Sequence, residues 1–310
     1  MRKLTNKLFI SILTVAFAVI ALGTTTFAWF TLSNTATISP FNATVTSGEG
    51  IEVSLDEDAW YTTIPTSVIN AYLFDVTEGT HGSNFKLSAV TTADGTTFNK
   101  IKNDNSALEA AVAEADYIEF TLNFRSSAES APSIFWNGVT LTSNGVQWTS
   151  DASFTDAKGP VAMGDTSTRF AANATRILVD GTTDIIYELA ANENAQAEDE
   201  LIPFSYQPGN SVLSNTAVST LPNGARNYFL VKRGVEPFGY DTATASATIT
   251  DLLANNDTAI ITLTAGTGGA SAWVGSIVVR VWIEGWDQDS FNAILKDTLT
   301  IGLVFGTTAA

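Results

Sequence analysis

The stretch Tyr117-Ile118-Glu119-Phe120-Thr121-Leu122-Asn123-Phe124 limits what this chain can fold into more than any other part of it. Ile118, Phe120, Leu122 and Phe124 recur with period two, so an extended strand gathers all four on one face, whereas a helix scatters them. Ile51-Glu52-Val53-Ser54-Leu55 alternates in the same way. Both segments are predicted to be half-buried antiparallel strands. In residues 176–189 the pair Asp180-Gly181 separates two β-rich runs, the strongest short-range hairpin signal. Residues 276–283 and 298–305 are β-branched and apolar, and the connection between them has room for a short helix capped by Asp287 or Asp289. Two core strands joined this way suit a sandwich. Helical composition is otherwise confined to residues 106–115, where Ala and Glu dominate. The expected class is mainly β with one or two short helices. Residues 150–164 and 192–209 carry Gly, Pro, Asp and Asn with little periodicity and read as loops or insertions. Segment 80–210 is therefore expected to hold either an inserted subdomain or long loops. Gly266, Gly268 and Gly269 follow no strand-to-helix pattern and read as a Gly/Thr turn, not a phosphate loop.

The amino terminus has the three-part layout of a secretory signal: Arg2, Lys3 and Lys7, then the uncharged run 8–22, then small residues closing on Ala28. Cleavage after Ala28 is expected, leaving residues 29–310 as one β domain outside the cytoplasm, secreted or at the cell surface. Only an uncleaved signal would tie the chain to a membrane. Loss of residues 1–28 removes three of the 15 basic and none of the 32 acidic residues, for a charge of about −20. That field repels nucleic acid and anionic lipid. It keeps the protein dispersed or draws divalent cations. There is no cysteine, which excludes disulfides, thiol catalysis and thiolate metal sites, so a core must supply the stability.

Chemistry-bearing motifs are scarce. His81, in a Gly-rich turn context, is the single histidine and reads as a solvated loop residue. One histidine admits no HExxH helix, and no Walker loop or G-x-S-x-G elbow is present. No enzymatic activity is expected. Clustered carboxylates occur at residues 56–58, 198–200 and 287–289, each read first as a solvated loop or cap. If one holds calcium, Glu284, Asp287 and Asp289 are the candidate ligands, hard oxygens close in sequence, although the full twelve-residue calcium loop is absent. Trp136, Trp148, Trp273, Trp282 and Trp286 suit a β core first and a carbohydrate platform second.

Cleavage after Ala28 would expose the β-prone, aromatic-led stretch Trp29-Phe30-Thr31-Leu32-Ser33-Asn34-Thr35-Ala36-Thr37-Ile38. It is expected either to fold back as a first strand or to complete a neighbouring subunit's sheet, the second route propagating head to tail. The junction 24–31, the segment Thr35-Ala36-Thr37-Ile38, the Gly-led strand 50–55, the closing Val281-Trp282-Ile283-Glu284-Gly285-Trp286-Asp287 and the run 298–305 resemble the TasA/camelysin family of secreted biofilm-matrix proteins. The resemblance covers about 50 residues at the front and about 35 at the back. It implies a jelly-roll-like antiparallel β-sandwich, processing by a dedicated signal peptidase, and self-assembly into extracellular fibres by donor-strand complementation, with Trp29, Phe30, Thr31, Leu32, Thr35, Thr37 and Ile38 in the assembly strand. The metalloprotease label attached to camelysin is not carried over, since no ligand set matches. The alternative reading is a secreted carbohydrate-binding, lectin-like adhesin, calcium-dependent through the carboxylates named above. A glycosidase using paired carboxylates stands third.

Overall fold

The computed structural model describes residues 35–37, 42–47, 50–74, 85–113, 115–156, 159–189, 206–207, 211–212, 224–239, 257–266, 272–287, 289–290, 292–294 and 297–309. In chain order the strands begin β1 (Thr35–Thr37), β2 (Asn42–Ser47), β3 (Ile51–Ser54), β4 (Thr63–Ile64), β5 (Lys86–Thr92), β6 (Phe98–Ile101) and β7 (Leu108–Ala110). There follow β8 (Ile118–Ser126), β9 (Ser133–Ser143), β10 (Val146–Thr149), β11 (Phe154–Asp156), β12 (Gly159–Val161), β13 (Thr166–Arg169), β14 (Thr175–Asp180) and β15 (Ile185–Glu188). The last are β16 (Tyr206–Gln207), β17 (Ser211–Val212), β18 (Ala259–Thr262), β19 (Thr264–Ala265), β20 (Trp273–Glu284) and β21 (Leu299–Gly306). Among the described residues the helices are α1 (Thr66–Phe74), α2 (Ala171–Ala174) and α3 (Gly224–Arg233). The described chain is mainly β, as its alternating segments predict.

Two principal sheets face each other. The long strand β20 is the spine of the larger one, paired antiparallel with β8 over Trp273–Val281 on one side and with β14 over Val278–Ile283 on the other. β3 extends it beyond β8, and β15 beyond β14. The second sheet runs β18-β9-β21-β2-β4. β20 and β21 therefore lie in different layers, and their connection crosses between them. Among the described strands, pairing is antiparallel except for β2 with β21 and a two-residue contact of β20 with β5.

The period-two rule decides what enters the core. Ile118, Phe120, Leu122 and Phe124 are all buried, and their β20 partners Val281, Val279, Ile277 and Gly275 share that face. Phe124 meets Phe305 of β21 edge to face at 5.3 Å, and Trp136 of β9 meets Tyr187 of β15 at 6.1 Å, so aromatic pairs join the two layers. α1 covers this core with Ile69 and Leu73. A smaller cluster gathers Ile101, Ala152 and Phe154 with Ala225, Tyr228 and Phe229 of α3 and with Trp286.

The hairpin expected at Asp180-Gly181 is present, with Val179 opposite Ile185, but its connection spans residues 180–184 and is not a two-residue turn. Gly181 serves close approach instead. A Cβ there would collide with the Ile260 carbonyl oxygen, which accepts the Thr182 N–H at 2.7 Å.

The described residues of 106–115 are not helical. Leu108–Ala110 form β7, opposite Asn99–Ile101 of β6, and the described residues around it are irregular, with an isolated bridge at Ala113. Ten residues cannot hold an isolated helix in water, and β6 offers an open edge whose hydrogen bonds outweigh a few tenths of a kcal/mol per residue of helix propensity. Among the described residues between β20 and β21 the helical piece is a single 3-10 turn, Asn292–Ile294. Asp287 is not placed as the cap of that turn, which begins five residues later; it accepts the Asp289 N–H at 2.9 Å in an Asx turn. The irregular reading of residues 150–164 gives way in part to the β11–β12 hairpin.

Candidate functional site

The foremost candidate site is the seat of the N-terminal strand. β1 lies antiparallel on β5, with Thr35 opposite Ser88, Ala36 opposite Leu87 and Thr37 opposite Lys86. Thr35 and Thr37 of the assembly segment thus occupy a strand on this chain's own sheet. Ala28, Trp29, Phe30, Thr31, Leu32 and Ile38 lie outside the described residues, as do the signal segment, His81, residues 198–200 and most of 192–209. The seat itself is well anchored. Leu87 is fully buried, and the Ser88 N–H is held by the Asp116 carbonyl at 2.8 Å.

The second candidate is the carboxylate group near the end of β20. Glu284 and Asp287 come together, but around a guanidinium. Arg176 Nη1 lies 2.7 Å from Glu284, Nε 2.9 Å from Glu188, and Nη2 3.7 Å from Asp287. Side-chain exposure is 1% for Arg176 and Glu188, 0% for Glu284 and 4% for Asp287. Asp289 is directed elsewhere, 3.8 Å from Arg169, which is paired at 2.7 Å with buried Asp156. Among the described residues no three acidic or histidine side chains are disposed to hold a metal ion.

Strand register explains the burial. Arg176 stands opposite Trp282 of β20 on one side and Glu188 of β15 on the other, so these side chains share the face of the large sheet turned away from the second layer. The β5–β6 hairpin folds over that face. Phe98 of β6 meets Trp282 edge to face at 5.2 Å, and at Gly95, in the hairpin turn, a Cβ would press on Leu178. In that turn Asp94 accepts the Thr97 and Thr96 N–H groups at 2.6 and 2.8 Å, which holds its carboxyl far below the usual range against the upward push of burial.

One cation facing three carboxylates leaves an excess of negative charge in a dry site. Burial pushes the Glu284 carboxyl above its ordinary range, even though Arg176, Thr91 and the Trp282 and Trp286 N–H groups favour its anion. Burial also disfavours the Arg176 cation, but Glu188, Glu284 and Asp287 together outweigh it and hold the group above its usual value. With the folded pKa above the unfolded one, the contribution of Glu284 to stability is full below the unfolded carboxylate range and is lost as pH rises towards the folded value. Glu284→Gln is expected to flatten this fall. Urea midpoints measured at several pH values above the ordinary carboxylate range should decline less steeply in the variant, and parallel curves would refute the assignment.

The tryptophans belong mainly to cores. Trp136, Trp282 and Trp286 are buried, and Trp148 packs edge to face on Phe154 and Tyr228. Trp273 is half-buried and donates its indole N–H to the Ala128 carbonyl at 2.9 Å. The 56–58 cluster is a turn in which Asp56 accepts the Asp58 and Ala59 N–H groups. Arg176 and Glu188 were not singled out in the sequence. The available signal was a pair of opposite charges inside β-prone runs on either side of a predicted hairpin. Among the described residues no helix is long and apolar enough to cross a membrane. Comparison with protein-family models, curated proteins and solved structures returned no match.

Proposed function

We propose that the chain is a secreted structural subunit of an extracellular filament, a jelly-roll-like β-sandwich that assembles head to tail by exchanging its N-terminal strand. The observation that carries this reading is the seat of β1. Three residues at the start of the described chain make a separate strand on β5, while β2 belongs to the opposite layer. Such a strand is held mainly by main-chain hydrogen bonds, which the same segment of another copy can supply in identical form. Exchange then costs little beyond association, and the contact is heterologous, so it continues as a fibre. The residues ahead of it, Trp29-Phe30-Thr31-Leu32, add apolar surface that gains by burial in a neighbour. The expected charge of about −20 and the lack of motif-level catalytic chemistry agree with a structural role.

Electron microscopy of the secreted, N-terminally sequenced protein, with and without calcium, tests the reading. Ordered fibres are expected from a chain beginning at Trp29, and none from a secreted chain lacking residues 29–38. Normal fibres from that truncation, or monodisperse monomers of the complete secreted chain under both conditions, would sink it.

A further inference from the structure

Lys100, Glu109 and Asp116 form a group that the filament reading does not use. The Lys100 ammonium lies 2.7 Å from Asp116 Oδ1 and 2.9 Å from Oδ2, and Glu109 Oε1 lies 3.9 Å from the same nitrogen. The backbone fixes all three. Lys100 and Glu109 are cross-strand partners on β6 and β7. Asp116, 4% exposed, is tied by its carbonyl to the Ser88 N–H of β5. Two further donors converge on its carboxyl: the Ser88 hydroxyl on Oδ1 at 2.7 Å and the Val112 N–H on Oδ2 at 2.9 Å. The next residue, Tyr117, is buried and stacks on Phe98 at 4.2 Å.

We propose that Lys100 and Asp116 condense into an intramolecular isopeptide bond, with Glu109 as the proton carrier. Glu109 takes one proton from the Lys100 ammonium and frees the nitrogen lone pair. The nitrogen attacks Asp116 Cγ and a C–N bond forms. Ser88 and Val112 hold the negative oxygens of the tetrahedral intermediate, as preorganised donors do in acyl transfer. One Cγ–O bond then breaks. The departing oxygen leaves as water with the proton returned by Glu109 and a second proton from the nitrogen. An ammonium and a carboxylate thus become one neutral amide and one water, with no oxidant or activating group consumed. Positioning supplies the driving advantage, since groups fixed in contact react with effective molarities of about 10⁵–10⁸ M. The bond would close the loop from residue 100 to residue 116, which carries the edge strand β7, whose three residues are all exposed. For a chain without cysteine, this is a covalent staple that needs no oxidising compartment.

The test is intact-mass spectrometry of the purified full chain after incubation at neutral pH, followed by tryptic mapping. The wild type is expected to be lighter by one water and to yield residues 87–102 joined to residues 103–125, with no cleavage after Lys100. Lys100→Arg and Glu109→Gln are each expected to carry the full mass. Glu109 is exposed, so that variant keeps the Lys100–Asp116 ion pair and, by circular dichroism, the fold. A folded wild type of full mass overturns the proposal. So does a water loss that persists in Lys100→Arg, or one that maps to succinimide at Asp94-Gly95 or Asp180-Gly181. Cross-linking at an unchanged rate in Glu109→Gln overturns the role given to Glu109.

Discussion

Replacing Arg176 with alanine is expected to lower the stability of the fold by about 3–5 kcal/mol, the cost of breaking a buried ion pair from one side. Arg176 is the cation in contact with Glu188, Glu284 and Asp287, all of them nearly inaccessible to water. Without it the three carboxyls must either take up protons or remain charged in a dry site, and both routes favour the unfolded chain. Arg176→Met restores most of the lost packing volume but none of the charge, so it should recover only a fraction of the loss. The combined change Arg176→Met, Glu188→Leu and Glu284→Leu removes most of the buried charge together and should fall much closer to the wild type than Arg176→Ala. Urea unfolding at neutral pH measures all three. If Arg176→Ala loses less than about 1 kcal/mol, a typical value for an ordinary substitution, the guanidinium is not what holds the cluster.

How legible this molecule was depended on how local each signal is. Alternation within a strand is local, so Ile118, Phe120, Leu122 and Phe124 could be placed on one face, and all four are buried. The hairpin around Asp180-Gly181 was legible for the same reason, since its two runs are neighbours in sequence. Its turn was not. The role of Gly181 comes from β18, about eighty residues further on, whose Ile260 carbonyl approaches too closely for any side chain. Residues 106–115 failed by the same logic: their Ala and Glu content speaks for a helix, but the open edge of β6 decides. α3 could have been found from Lys232 and Arg233 in its last turn and Gly234 beyond it, at φ +70° with its N–H on the Leu230 carbonyl. At the candidate sites, sequence distance hid the essential partner. Glu284 and Asp287 stood out as near neighbours suited to a cation, and the cation they face is a guanidinium more than a hundred residues earlier. The seat of β1 on β5 was likewise beyond a reading of the N-terminal segment by itself, because β5 carries no mark of what pairs with it.

The joint between the two layers should be as sensitive as the cluster. Trp136→Ala is expected to cost about 3–5 kcal/mol, the range for emptying a buried large aromatic position. Trp136 is fully buried on β9, its indole N–H bonded to the Gly138 carbonyl at 3.0 Å, and its ring reaches Tyr187 on the opposite sheet. The cavity would be lined from both layers, which β-strands pinned by long hydrogen-bonded ladders cannot close by moving together. Trp136→Phe keeps an aromatic contact and leaves no indole N–H to satisfy, so a loss of about 1–2 kcal/mol is the smaller expectation. A double-mutant cycle with Tyr187→Leu isolates the contact, and an interaction of about 0.5–1.5 kcal/mol is expected for an aromatic pair of this kind. Strict additivity of the two changes would mean that the rings share a core without holding the layers together. The sandwich would then owe its cohesion to the aliphatic residues of β8, β20 and β21 and to the contact of Phe124 with Phe305.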